Sequence, residues 1–156
     1  MSKLMKPELT EKILGCAISV HKSLGPGLLE KFYEEALCIE LQHQALRYQR
    51  QVPVSLSYRG RHIGYHRLDL LIEDQVIIEL KAVKELEKIH YATTLSYLKV
   101  SRAPIALLLN FNSQTLTIKR FANSILKLNT EAPKGGSTDS LIEFIRHGER
   151  ACDQER

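Results

Sequence analysis

Cysteine is scarce in this chain. Cys16, Cys38 and Cys152 are widely spaced, odd in number and without a C-x-x-C pair. That pattern argues against a disulfide framework or zinc site and fits a reducing cytosol. Long hydrophobic runs are also missing, and none approaches the roughly 18 residues a membrane span needs. The opening "MSKLMKPELTEKILG" is interrupted by charges every few residues, so it does not read as a signal peptide. No P-loop, G-x-S-x-G, H-E-x-x-H or dinucleotide glycine motif occurs, which leaves nucleotide-cofactor enzymes, serine hydrolases and zinc proteases unsupported. Internal repeats are absent. The expected setting is cytoplasmic, with no membrane partner.

What is present is an ordinary globular composition. The 156 residues are 44% hydrophobic and 26% charged, enough for one domain that buries about 68–70% of its unfolded surface. A net charge of +4 is compatible with a polyanionic partner and equally with a solvated surface. Helical spacing of Leu9, Ile13, Leu14, Ala17, Ile18 and His21 predicts a helix over 7–24, and "GPG" at Gly25 to Gly27 ends it. A second helix over about 28–45 has Leu29, Phe32, Ala36, Leu37 and Leu41 as its apolar stripe. Strands follow in "VPVSLSY", in "HIGYHRLDLLI" after a turn at Arg59 to Arg61, and over about 75–83. Leu86, Ile89, His90, Leu95 and Leu98 predict a helix over 84–101, and "APIALLLNF" and "TLTIKRF" read as strands. The order ααβββαβ(β) is an α/β arrangement, a mixed central sheet flanked by helices. The domain spans residues 1–128, a Pro/Gly/Ser-rich linker 129–139, and a peripheral tail helix 140–156.

Within "LDLLIEDQVIIELKAV" three charges sit on otherwise apolar strands: Asp69, Glu79 and Lys81. Such residues are depleted in strands and rarely buried without a partner. Glu79 and Lys81 share a strand face by period two. The register of Asp69 is open. A two-residue loop at Glu73-Asp74 sets it across from Ile78, whereas a three-residue loop, Glu73-Asp74-Gln75, or a bulge sets it across from Glu79. Two facing carboxylates need a cation between them, either Lys81 or a divalent metal of the oxygen-preferring Mg²⁺ or Mn²⁺ type. An acid-x-lysine triplet arises about once by chance in a chain this long, so the apolar setting carries the argument.

With these residues in view, the chain resembles the PD-(D/E)XK nuclease superfamily, through D-x₉-E-L-K on a hairpin between two helices. "LGPGLLEKFYEEAL" matches the G-x-x-E-x-x-Y signature at Gly27, Glu30 and Tyr33, which names a small bacterial and archaeal branch. "HKSLGPGLLE", "DLLIEDQVIIELKAV", "HYATTLSYLK" and "LLLNFN…IKRF" fit that pattern in order over about residues 8–121. The resemblance implies a restriction-endonuclease-like core and a Mg²⁺- or Mn²⁺-dependent nuclease site. Asp69, Glu79 and the Leu80 main-chain carbonyl fall on metal ligands, Glu30 on an additional one, and Asp69, Glu79 and Lys81 on the catalytic set. Related nucleases often carry Q-x-x-x-Y on the following helix; here the positions are Thr93 and Tyr97, so the glutamine is lost.

Other candidates are His21, on the apolar stripe of the first helix, and His90 and Tyr97 on the third. Each is a packing or surface residue by type, with a place at the substrate-binding edge of the site as the functional alternative. Arg59, Arg61, Arg67, Lys84, Lys88, Lys99, Lys119 and Arg120 come from several elements, and some of them could line a phosphate-backbone groove. The expected activity is metal-dependent hydrolysis of nucleic acid, DNA foremost, by in-line water attack. The rival is a nuclease-fold protein without useful catalysis that binds nucleic acid or protein. Either can form a homo-oligomer.

Overall fold

The computed structural model describes residues 7–123. The expected linker 129–139 and tail helix 140–156 lie outside the described residues. Helix α1 is Pro7–Leu24. Proline suits its first turn, Glu8 lies at the positive end of the helix dipole, and His21 and Lys22 lie at the negative end. Gly25, at φ 65°, closes the helix by donating its N–H to the His21 carbonyl at 2.8 Å.

Helix α2 is Glu30–His43, shorter at both ends than the expected 28–45. Its inward stripe is Tyr33, Glu34, Leu37, Cys38 and Leu41. Leu29 and Phe32, expected in that stripe, are instead 63% and 47% exposed. The first inward turn belongs to Glu30, Tyr33 and Glu34, which rotates the neighbouring apolar residues to solvent.

Five strands follow: β1 Tyr48–Tyr58, β2 Arg61–Ile72, β3 Val76–Lys81, β4 Ile105–Asn110 and β5 Thr117–Ala122. They form one sheet in the order β1-β2-β3-β4-β5, antiparallel except for β3 and β4. A parallel pair needs a crossover, which α3, Lys88–Ser101, provides. The helix starts later than the expected residue 84 because Glu87 and His90 form a capping box, with the Glu87 N–H donated to His90 Nδ1 at 2.9 Å. Its buried face is Thr94, Tyr97 and Leu98, while Ile89 and Leu95 of the expected stripe are exposed.

Period-two alternation along β3 and β4 splits the sheet between two cores, and β2 changes face between Leu68 and Leu70. Leu70, Ile72, Ile78, Leu80, Leu107 and Leu109 pack under α1 and α2, whereas Leu68, Ile77 and Ala106 pack against Tyr97 and Leu98 of α3. Each fully buried leucine or isoleucine contributes about 1.5–3 kcal/mol. The parallel register sets Glu79 beside Leu108 and Lys81 beside Asn110. The two charges therefore lie at the carboxyl end of a central, otherwise apolar strand. Among the described residues no helix is long and apolar enough to cross a membrane.

Candidate active site

The β2–β3 connection decides the register that the sequence left open. Glu73 and Asp74 adopt φ of 51° and 55°, and the Gln75 N–H donates to the Ile72 carbonyl at 3.0 Å. One extra residue then follows, because Ile72 faces Val76 rather than Gln75. The pairing runs Ile72↔Val76, Leu71↔Ile77, Leu70↔Ile78, and its continuation sets Asp69 across from Glu79. Arg47 holds the turn, giving its main-chain N–H to Glu73 at 2.7 Å and its guanidinium at 3.1 and 3.2 Å. A shallow depression lined by Arg47, Gln49, Leu71 and Asp74 lies at this turn, at the far end of the hairpin from the carboxylates.

Past Leu70 and Ile78 the two strands part. Asp69 Oδ2 takes over the ladder by accepting the Leu80 N–H at 2.8 Å. N–H and C=O of one strand residue point to the same side, so the Leu80 carbonyl faces this fork as well. The other edge of β2 is also irregular at Asp69: β1 pairs through Arg50↔Leu70 and Val52↔Leu68, and the intervening Gln51 is at φ 50°. A non-glycine residue held there is uncommon and costs on the order of 1–3 kcal/mol. Gln51 is secured by a 3.0 Å bond to Glu34 Oε2, and Arg50 binds Glu34 Oε1 at 2.9 Å and Glu35. The irregularity explains why Leu70 buries toward α1 and α2 and Leu68 toward α3. Asp69 stands at that switch of faces.

Glu79 is 4% exposed, and its Oε1 meets Lys81 Nζ at 3.0 Å. Its Oε2 is buried without a hydrogen-bond partner. Burial, followed by the Asp69 charge, pushes Glu79 up to about 7 against the opposing pull of Lys81. Burial also raises Asp69, which the Leu80 amide and Lys81 draw back down. Glu30 is raised by burial and by Asp69 and lowered by Lys81 and the Ala82 main-chain amide. Burial works against the Lys81 ammonium, yet Glu79, Glu30 and Asp69 together hold its pKa above the ordinary value. Tyr97 is raised by burial and then by Glu79 and Asp69, so α3 presents it to the same charges. Glu30, Asp69, Glu79, Lys81 and Tyr97 thus share one field although they come from four elements.

The G-x-x-E-x-x-Y stretch has a mechanical reading. Gly27, at φ 104°, donates its N–H to Asn112 Oδ1 at 3.0 Å. The Tyr33 hydroxyl donates to the Gly25 carbonyl at 2.6 Å and accepts the Leu28 N–H at 3.1 Å. Its ring stacks on Phe111 at 4.8 Å, and the Phe111 N–H donates to the Lys81 carbonyl at 2.8 Å. Asn110 accepts the Val83 N–H and donates to the Val83 carbonyl. The loop that delivers Glu30 and the strand end that delivers Lys81 are therefore anchored to the same short segment.

His21 and His90 each bond to main chain. His21 bonds the Ser113 carbonyl at 2.8 Å beside Phe111, and His90 caps α3. Among the described residues no hydrogen bond or ion pair joins either to Asp69, Glu79 or Lys81. Thr93 is half-buried one turn before Tyr97. Residues that pattern reading missed are Gln51, Glu34, Asn110, Asn112 and His66, whose ring meets Tyr97 edge-on at 4.8 Å. The one available signal was the polarity of Asn110 and Asn112 closing an apolar strand.

Among the described residues, no three His, Cys, Asp or Glu side chains gather into a cluster able to hold a metal ion by themselves. The donors nevertheless suit a hard divalent cation. Glu79 Oε2 lacks a partner, Asp69 lies opposite, the Leu80 carbonyl faces the fork, and Mg²⁺ characteristically takes one or two carboxylates and keeps its waters.

A mixed sheet with a charged fork at the end of its parallel strand defines a restriction-endonuclease-like α/β fold. The sequence profile described as the PD-(D/E)XK nuclease superfamily matches residues 7–121, and the chain belongs to that superfamily. Its members generally use divalent metals. A comparison with curated proteins returns no match. Among solved structures the chain is similar to one titled "Crystal structure of SSO0001", at 18% identity and a TM-score of 0.48. The match covers 65% of this chain and 55% of the other, so this chain spans about half the length of that structure.

Proposed function

We propose that the protein is a metal-dependent phosphodiesterase that hydrolyses nucleic acid, DNA in particular, by in-line attack of water. One observation carries this reading: a buried carboxylate oxygen, Glu79 Oε2, is left without a partner opposite a second acid. Glu79 is ion-paired through Oε1, but a buried acceptor atom left unsatisfied still costs about 1–3 kcal/mol, and a cation between the two acids would offset that cost. Asp69, Glu79 and the Leu80 carbonyl would hold Mg²⁺ or Mn²⁺, with Glu30 assisting. Such an ion supplies Lewis acidity to a phosphoryl oxygen and to the attacking water.

The protein's own groups do the rest. The Leu80 N–H orients the Asp69 carboxylate and favours its ionised form against the opposing effect of burial. Lys81, charged and tethered to Glu79, orients the water and offsets negative charge that builds as the scissile P–O bond breaks. Tyr97 lines the α3 side. We also place the chain in the G-x-x-E-x-x-Y branch, because Gly27 and Tyr33 position the loop that carries Glu30.

A second reading, a nuclease-fold binding module, is favoured by Thr93 where related enzymes hold glutamine. Cleavage of single-stranded, double-stranded and branched substrates with Mn²⁺ separates the two. The nuclease reading expects metal-dependent products that Lys81→Ala abolishes; no product from any substrate favours the binding module.

A further inference from the structure

The β1–β2 hairpin continues well beyond the sheet. Its last partners toward β3 are Leu70 and Ile78; beyond them β1 and β2 pair only with each other, resting on α3 through Val54 and His66 and continuing past them over residues 61–65. At about 3.3 Å per residue the ribbon projects roughly 16 Å beyond its contact with α3, at the end of the sheet that holds the carboxylates. From Gln51 to Leu68 it contains no acidic residue, but three arginines and two histidines. Arg59, Arg61 and Arg67 are exposed, and among the described residues none of them has an ion pair.

Register partners share a face, and the pairs Pro53↔Arg67, Ser55↔Tyr65 and Ser57↔His62 place Arg67, Tyr65 and His62 in one row. Ile63 is the extra residue of a bulge between Leu56 and Ser57. The pair Tyr58↔Arg61 presents the other face at the tip, where the Arg59 guanidinium lies 5.6 Å over the Tyr58 ring. Arg59 and Gly60, at φ 47° and 75°, form a two-residue turn that prefers asparagine or glycine at its first position. An arginine there opposes local preference, as happens where function outweighs it.

Resting on the nuclease reading above, we propose that this ribbon is a DNA-binding arm that enters the major groove of a B-form duplex and delivers a phosphodiester to the site at its base. A two-stranded ribbon fits that groove, and cations on both faces match phosphates on both walls. A stacking platform for a single strand needs only one such face. The deep, narrow major groove of duplex RNA would not admit the ribbon.

The test is fluorescence anisotropy in EDTA with the full chain and a labelled 20-base-pair DNA duplex, its single strand and the matching RNA duplex, over a salt series. The doubly substituted Arg59→Gln/Arg61→Gln protein should bind the DNA duplex at least tenfold more weakly. Its log–log salt slope should be shallower by about 2, near 0.9 per lost phosphate contact. Arg67→Gln, on the other strand face, should lower the slope by about 1, and Lys12→Gln on α1 should change nothing. Parental affinity and slope in both arm variants, or tighter binding of single strand or RNA duplex than of DNA duplex, overturns the arm. If the arm variants lose duplex binding while the parent cleaves nothing, the arm stands and hydrolysis falls. Cleavage with unaltered binding gives the reverse.

Discussion

Asp69 Oδ2 accepts the main-chain N–H of Leu80 at 2.8 Å, which ties the acid of β2 to the residue between Glu79 and Lys81. The bond fills the rung that the diverging strands vacate. It also fixes the carboxylate within the shared field of Glu79, Lys81 and Glu30.

Asp69→Asn should keep the fold and lose the metal. The amide oxygen can still accept the Leu80 N–H, so thermal unfolding should stay close to that of the parent. A neutral oxygen binds a hard cation poorly, and calorimetric titration with Mn²⁺ should show affinity reduced at least tenfold. Equal affinity removes Asp69 from the ligand set.

Lys81→Ala leaves Glu79 with neither of its oxygens partnered. Breaking a buried pair costs about 3–5 kcal/mol, and the 21% exposure of the Lys81 side chain brings the expected loss to about 1–3 kcal/mol. Divalent metal should restore part of it. Urea unfolding with and without Mn²⁺ measures both effects. A structural ion pair gives the loss without the recovery. Cleavage should fall through kcat rather than KM.

Glu79, at about 7 in the fold, sits above its ordinary 4.5. Between those values the folded protein holds a proton that the unfolded chain has released. Metal-free stability therefore falls as pH rises from about 4.5 to 7 and levels off above, with a slope of at most about 1.4 kcal/mol per pH unit. Glu30 and Asp69, also raised, act in the same direction. Urea midpoints in EDTA from pH 5 to 8 should show the decline in the parent and a shallower one in Glu79→Gln. Parallel profiles would contradict the assignment.

Tyr33→Phe removes the hydroxyl that bridges Gly25 and Leu28 and retains the stack on Phe111. The loss should be about 1–3 kcal/mol, readable by thermal melting. Because the bridged loop carries Glu30, turnover should drop further than stability alone dictates, with duplex affinity unchanged.

The elements were largely legible because helix and strand periods differ and the apolar residues follow them closely. The inward face of α2 was not, since it includes Glu34, a buried acid made tolerable by Arg50 and Gln51 from another strand. Hydrophobic periodicity cannot anticipate a partner brought in by tertiary pairing, and it gave Leu29 and Phe32 a place that Glu30 and Tyr33 occupy. The start of α3 was blurred for a similar reason: the cap made by Glu87 and His90 is a side-chain device, and Leu86 extends the apolar pattern past it. The charges of the hairpin stood out at once, but their convergence depended on one backbone residue, Gln75, whose effect on parity pattern reading left open. His21 and His90 stood out by their places on the apolar stripe of α1 and at the opening of α3, and the backbone bonds each makes come from tertiary pairing and capping that such places do not reveal.

The extra residue in the Glu73–Gln75 turn has an evolutionary consequence. Loop lengths ordinarily drift among relatives at little cost, but here a one-residue deletion that re-paired β2 so that Asp69 met Ile78 would also set Leu70 against Ile77, turning Leu70 and Ile72 away from the core under α1 and α2. Descendants should therefore keep this turn at constant length, with residues at positions 73 and 74 that tolerate positive φ. Turn length is thereby tied to the core and to the placing of Asp69 at once, so neither can be lost to a shortened turn without the other.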